Sequence, residues 1–82
     1  MREIEWTGTA LDDMAMPDKS IARRVKQTVE RFADTGAGNV KRLHGIDPPE
    51  YRLRMGDYRV RFHLEDETAQ VLRVRNRREA YR

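Results

Sequence analysis

Six arginines alternate with apolar residues in the second half of this 82-residue chain. They are Arg52, Arg54, Arg59, Arg61, Arg73 and Arg75, and His63 continues the same alternation. A guanidinium group binds phosphate through two parallel hydrogen bonds and also stacks on nucleobases. The pattern therefore predicts a surface for nucleic-acid phosphates or for an acidic segment of a partner protein.

The distribution of charge along the chain supports a localised basic surface. The formal net charge is only +3. Residues 1–40 carry 6 basic and 7 acidic groups, whereas residues 41–82 carry 11 basic and 7 acidic groups. Lys41 is the only lysine of the second half, so nearly all of its positive charge is on arginine. Composition alone does not choose between a nucleic acid and an acidic protein as the partner.

Length and composition exclude several classes of protein. A chain of 82 residues has room for one domain, which we expect to span residues 1–82. The absence of cysteine excludes disulfides and thiolate zinc sites, and two histidines are too few for a histidine metal cluster. No apolar stretch approaches the ~20 residues of a membrane span, and the start does not resemble a signal peptide. We therefore expect a cytoplasmic protein without membrane contact, bound metal or cofactor.

The first half of the chain predicts one strand and two helices. Residues 2–6 alternate polar and apolar side chains, which indicates a short strand. Thr7 or Thr9 can cap a short helix that Pro17 interrupts. A second helix is expected from Asp18 or Lys19 to the glycine-rich segment 35–39. Its apolar stripe consists of Ile21, Val25, Val29 and Phe32.

The second half predicts a loop over residues 40–50 and then three strands. The strands are expected at residues 50–55, 58–65 and 69–75, with a tight turn at Gly56-Asp57. The fold class is thus α+β, with two N-terminal helices packed on one face of a small, mainly antiparallel four-stranded sheet. The order of its elements is β-α-α-β-β-β.

Strand alternation assigns the two faces of this sheet. The apolar face, which is expected to pack against the helices, comprises Tyr51, Leu53, Met55, Tyr58, Val60, Phe62, Leu64, Leu72 and Val74. The opposite face would present the six arginines with no acidic residue among them. An ordinary solvated face usually mixes charges of both signs, since like charges on neighbouring strands repel. We therefore favour an anion site over a solvated face, and His63 is open to either a proton-transfer role or a plain surface role.

Three segments resemble the RelE/ParE superfamily of toxins from bacterial toxin–antitoxin pairs, and the RelE-like members more than the ParE-like ones. These segments are the Lys41-Arg42-Leu43-His44-Gly45 run, the YRLRMGDYRVRF stretch at 51–62, and residues 74–81. RelE-like toxins cleave messenger RNA in the ribosomal A site without a metal, by attack of a ribose 2′-hydroxyl on the adjacent phosphate. ParE-like toxins act on DNA gyrase, and some relatives have lost activity.

The resemblance implies roles for five residues. Arg52 and Arg54 occupy positions that are often basic in the family, and Arg59 matches an arginine that holds the scissile phosphate. Arg77 matches an arginine that stabilises charge or protonates the leaving group, and Tyr81 matches a tyrosine that stacks on the substrate base. The remaining cationic positions of the face are expected to bind RNA. They are Arg61, His63, Arg73 and Arg75.

The sequence departs from the family where a base and an acid are needed. Arginine is a poor general base, and Arg75-Asn76 stands where a Gly-His pair often precedes the C-terminal arginine. Three alternatives follow from this departure. His63 takes the place of the missing base or acid, or catalysis is mostly electrostatic with help from the ribosome, or the protein is a weak nuclease.

The resulting expectation is a ribosome-dependent, metal-independent endoribonuclease toxin. The alternatives are a gyrase inhibitor without enzymatic activity and an inactive module that only binds its antitoxin or RNA. The expected partners are a cognate acidic antitoxin, the ribosome and mRNA, with DNA gyrase as the alternative target.

Overall fold

The computed structural model describes residues 2–77, which form two helices and one five-stranded sheet. The elements are β1 (Glu3–Trp6), α1 (Gly8–Met14), α2 (Lys19–Thr35), β2 (Asn39–Leu43), β3 (Glu50–Met55), β4 (Tyr58–Glu65) and β5 (Thr68–Asn76). The strand order across the sheet is β1-β5-β4-β3-β2. β1 runs parallel to β5, and the other neighbours are antiparallel. The predicted α+β class is confirmed.

The predicted number of strands is wrong, because β2 forms within the segment that was expected to be a loop. It pairs with β3 along its whole length, from Asn39 opposite Arg54 to Leu43 opposite Glu50. Its sequence, Asn-Val-Lys-Arg-Leu, is mostly polar and exposed, as befits a strand at the edge of a sheet. Backbone hydrogen bonds to β3 hold such a strand, so side-chain alternation does not reveal it.

Both helices begin and end where the sequence predicts. The Thr7 hydroxyl accepts a hydrogen bond from the Ala10 N–H at 3.1 Å and caps α1. Gly36 ends α2 in the left-handed conformation, with φ of 75°. Neither helix in the described residues is long and apolar enough to cross a membrane.

The core lies between α2 and the sheet. Val25, Val29 and Phe32 from the predicted helix stripe are buried there, together with Ala10 of α1. The sheet contributes six buried apolar residues, which are Leu53, Val60, Phe62, Ala69, Val71 and Val74. This packing leaves the opposite face of the sheet for function.

A register shift corrects the predicted inner face of β5. Val71 and Val74 are both buried although they lie three residues apart, and Leu72 is only half-buried. Val71 pairs with Phe62 and Arg73 pairs with Arg61, so one extra residue of β5 is accommodated by a bulge. The prediction from strict alternation assumed that β5 has no bulge. It therefore placed Leu72 in the core, where the structure has Val71.

Gly38 lies close to the core where α2 gives way to β2, and we expect Gly38→Ala to destabilise the protein. An added Cβ would lie 2.8 Å from Leu53 Cδ1, and the φ of 148° disfavours a side chain. We expect a loss of about 1–3 kcal/mol in the free energy of unfolding, measured by urea denaturation. Gly8→Ala is the matched control, because an added Cβ there meets nothing within 4 Å. Equal stability of the two variants would contradict the steric account.

Candidate nucleic-acid interface

The face of the sheet opposite the core is called the outer face. Strand pairing arranges its cationic residues in two parallel rows. The distal row crosses β3, β4 and β5 and consists of Arg54, Arg59 and Arg75. The second row begins on β2 and consists of Lys41, Arg52, Arg61 and Arg73. Directly opposed residues in antiparallel strands have Cβ atoms about 4.5–5.5 Å apart. Strand pairing therefore brings together all six of the arginines that alternation assigned to this face.

The distal row concentrates like charge without an acidic residue at any of its three positions. Direct cross-strand pairing brings these three arginine side chains together on one face. A row of guanidinium groups can follow a chain of phosphates. The distal row is the feature of this face best suited to a nucleic acid.

The expectation of a face free of acidic residues is wrong, because Glu50 belongs to it. Glu50 lies on β3 two residues before Arg52, and the residue as a whole is largely buried beside Arg61. Arg61 donates from Nε to Glu50 Oε2 at 2.9 Å, and its Nη2 donates to the same oxygen. Arg61 is therefore held in a fixed ion pair, and it cannot turn its fork fully toward a phosphate while that pair persists.

Arg73 is also held by a carboxylate, in this case from a helix. Its Nε donates to Asp13 Oδ2 at 2.9 Å, and its Nη2 donates to Oδ1 at 3.2 Å. Hydrogen bonding to Asp13 raises the pKa of the Arg73 guanidinium above its ordinary value. The end of the second row on β5 is consequently tied to α1.

Asp13 also accepts the Val74 backbone N–H at 2.9 Å, at an edge of β5 that β1 does not cover. We expect Asp13→Ala to lower the free energy of unfolding by about 1–3 kcal/mol, because it strands that N–H and the Arg73 guanidinium. Asp12→Ala, at an exposed neighbour, should change stability by less than about 0.5 kcal/mol. Thermal unfolding of both variants measures the difference, and similar melting temperatures would refute this role of Asp13.

Three more of the predicted catalytic residues, Arg52, Arg54 and Arg77, lie in or near the end of the sheet that carries the distal row. Arg52 makes no ion pair with the described residues, and Arg54 Nε donates to the Gly56 carbonyl at 3.4 Å. The Arg77 N–H donates to the Asp57 carbonyl at 2.6 Å, which places the Arg77 backbone beside the turn between β3 and β4. Tyr81 lies outside the described residues, so its predicted role stays a prediction.

His63 lies on the same face, one row beyond Arg61, and its ring has a fixed orientation. Its Nδ1 is 3.0 Å from the Pro49 carbonyl oxygen, and Glu50 stands directly opposite on β3. Farther along this row, Gln70 Nε2 donates to Glu5 Oε1 at 3.3 Å. The outer face is therefore polarised, with arginine rows at one end and carboxylate and amide groups at the other.

Sequence reasoning missed Glu50 and Asp13 as members of this surface. Glu50 could have been found, because positions 50, 52 and 54 of a strand share one face. Asp13 could not, because 60 residues separate it from Arg73. Residues 2–77 contain no group of three or more histidine, aspartate or glutamate side chains that could hold a metal ion.

Comparison with known proteins gives a consistent result. The family profile described as "ParE toxin of type II toxin-antitoxin system, parDE" matches residues 4–81. No curated protein matches the chain.

Solved structures with this fold include several toxins. The RelB–RelE complex of Methanococcus jannaschii aligns with a TM-score of 0.78 and 22% identity over 94% of both chains. The RelE–RelB complex of Pyrococcus horikoshii OT3 gives 0.77 and 20% identity over 93% of this chain and 94% of the other. The intact Escherichia coli RelBE complex gives 0.74 and 16% identity over 93% and 96%. At such identities the likeness establishes a shared fold.

Proposed function

This chain belongs to the ParE toxin family of type II toxin–antitoxin systems, within the RelE/ParE superfamily, and we propose that it is an endoribonuclease that cleaves mRNA on the ribosome. The observation that carries the proposal is the distal row of Arg54, Arg59 and Arg75, aligned across three strands of the sheet. Three aligned guanidinium groups can bind successive phosphates of one RNA strand. The proposed substrate places its action in the cytoplasm.

The proposed reaction is attack of a ribose 2′-oxygen on the adjacent phosphorus. Negative charge builds up on the phosphate oxygens in the transition state, and fixed cations stabilise that charge more than they stabilise the bound ground state. The distal row supplies such cations on a sheet whose strands hold them in place. Arg52 extends the cationic surface into the second row, and Arg77 follows β5 at the same end.

Mapping of RNA 5′ ends in cells tests the proposal. After induction of the protein, we expect new 5′ ends within translated codons and a fall in protein synthesis. A message whose start codon is mutated should gain no such ends, because it would not enter ribosomes. Growth arrest without new 5′ ends in open reading frames would reject the nuclease.

A second candidate is inhibition of DNA gyrase without catalysis, and the match to the ParE profile favours it. A supercoiling assay with purified gyrase separates the two functions. Inhibition at micromolar protein together with intact messages would establish this alternative. Neither cleavage nor inhibition, with no toxicity on expression, would leave a module that only binds its antitoxin or RNA.

The proposed partner in the resting state is an acidic antitoxin. The RelE proteins with this fold were solved as complexes with RelB antitoxins. The distal row offers an acidic segment the same guanidinium groups that it would offer to RNA. A short reading frame for an acidic protein beside this gene, whose product copurifies with the chain and abolishes toxicity, is the expected observation.

A further inference from the structure

Two cross-strand pairs on the outer face form a compact square of four functional groups. Arg52 lies opposite Arg61, and in the next row Glu50 lies opposite His63. Each pair joins β3 to β4, and the two rows are separated by two residues along each strand, about 7 Å. A carboxylate and an imidazole thus lie beside two guanidinium groups on one surface.

One oxygen of the Glu50 carboxylate accepts hydrogen bonds from Arg61, and the other does not. Both hydrogen bonds from Arg61 end on Oε2. No hydrogen bond in the described part of the chain involves Oε1, and that part contains no buried side-chain polar atom without a partner. Oε1 therefore reaches solvent although the residue as a whole is only 9% exposed. Arg61 fixes the orientation of the group, and Oε1 is left to accept a proton.

The two ring nitrogens of His63 also differ in their contacts. A carbonyl oxygen only accepts hydrogen bonds, so the Nδ1 atom facing the Pro49 carbonyl carries a proton. Nε2 is consequently the ring nitrogen that is left to contact a substrate. The hydrogen bond from Nδ1 orients the ring and leaves Nε2 available to donate a proton to a substrate.

We propose that Glu50 and His63 are the general base and the general acid of the RNA cleavage. This assignment rests on the proposed nuclease function and supplies the two groups that the arginines cannot provide. Glu50 Oε1 takes the proton of the 2′-hydroxyl while O2′ forms a bond to phosphorus. The bond from phosphorus to O5′ breaks, and the Nε2 proton of His63 passes to O5′. The products are a 2′,3′-cyclic phosphate and a 5′-hydroxyl end.

The second row has a distinct part in this scheme. Arg52 lies beside the acid–base pair, where it can face the non-bridging oxygens of the scissile phosphate. Arg61 is held by Glu50 and orients it, so it is a positioning residue. Arg59 of the distal row lies two residues from Arg61 on β4 and adds to the positive charge around the same phosphate.

Glu50→Gln tests the base, because glutamine preserves the shape of the side chain and can still accept a hydrogen bond from Arg61. We expect single-turnover cleavage of an mRNA bound in ribosomes to slow by about 10²–10⁴-fold. Binding to the programmed ribosome and the thermal unfolding temperature should stay close to those of the wild type. Glu65→Gln is the matched control, since it removes an exposed carboxylate two residues beyond His63 and should leave the rate unchanged.

His63→Gln tests the acid with a substrate of altered chemistry. We expect a similar loss of rate on ordinary RNA. In RNA whose scissile 5′-oxygen is replaced by sulfur, the leaving thiolate needs no proton, because a thiol has a pKa near 8.5. The variant should therefore cleave that substrate at close to the wild-type rate, whereas Glu50→Gln should remain slow on it. This reciprocal pattern does not depend on the exact stability of either variant.

The outcomes separate the two levels of inference. Cleavage by wild type with unchanged rates for Glu50→Gln or His63→Gln would overturn the acid–base assignment and leave the nuclease intact. Failure of the sulfur substrate to rescue His63→Gln would overturn its role as the acid. Absence of cleavage by wild type would instead reject the proposed nuclease itself.

Discussion

Replacing Arg59 by alanine lowers the rate of message cleavage by about 10²–10³-fold if the nuclease proposal is right. Arg59 is the central member of the distal row, with Arg54 on one side and Arg75 on the other. Its position on the middle strand of the sheet holds it more firmly than a loop would. Removal of its charge mainly weakens binding of the transition state, so the maximal rate should fall more than the affinity for the ribosome.

Two further variants give this prediction its contrast. Arg59→Lys keeps the positive charge but loses the two-pronged geometry, so we expect an intermediate rate. Arg23→Ala removes an exposed arginine from α2, which packs against the other side of the sheet, and should leave the rate unchanged. Single-turnover assays on programmed ribosomes measure all three. An equal loss for Arg23→Ala would indicate a general effect of net charge and not a role for the distal row.

Replacing Phe62 by alanine is expected to produce the largest loss of stability, about 3–5 kcal/mol in the free energy of unfolding. Phe62 is 2% exposed and lies at the centre of the core. Its ring centroid is 5.1 Å from that of Phe32 on α2 and 5.7 Å from that of Tyr51 on β3. The truncation therefore removes contacts that join the helix to the sheet. A domain of this size has only about 5–15 kcal/mol of stability in total.

Urea denaturation measures this loss, with two comparisons. Phe62→Leu keeps most of the buried volume and should cost clearly less than the alanine variant. Leu11→Ala removes a side chain that is 56% exposed and should change stability by less than about 0.5 kcal/mol. Similar midpoints for Phe62→Ala and Leu11→Ala would show that the Phe62 cluster does not hold the helix and the sheet together.

Local patterns in the sequence were sufficient for most of the elements. The spacing of Val25, Val29 and Phe32 predicted the buried face of α2, and Gly36 predicted its end. The same is true of β3 and β4, whose alternation and intervening turn match their predicted limits. β2 escaped prediction, because an exposed edge strand is specified by its hydrogen-bonded neighbour.

Local sequence patterns also do not predict the parallel pairing of β1 with β5 or the bulge in β5. The pairing joins residues 65 positions apart, such as Glu3 and Thr68, and no local pattern encodes it. The bulge appears only when β5 is aligned with β4, since it is a mismatch between two strands. Both features are properties of the sheet and not of any one segment.

The charges of the outer face were likewise predictable from the sequence in part and set by the tertiary structure in part. The sequence by itself determined that six arginines share one face, because side chains of a strand alternate with a period of two. Only the tertiary structure decided which carboxylates pair with two of these arginines. Asp13 reaches Arg73 across the contact of α1 with β5, and Glu50 holds Arg61 across the pairing of β3 with β4. Charge balance depends on distances of a few ångströms between groups far apart in the chain, and folding alone sets those distances.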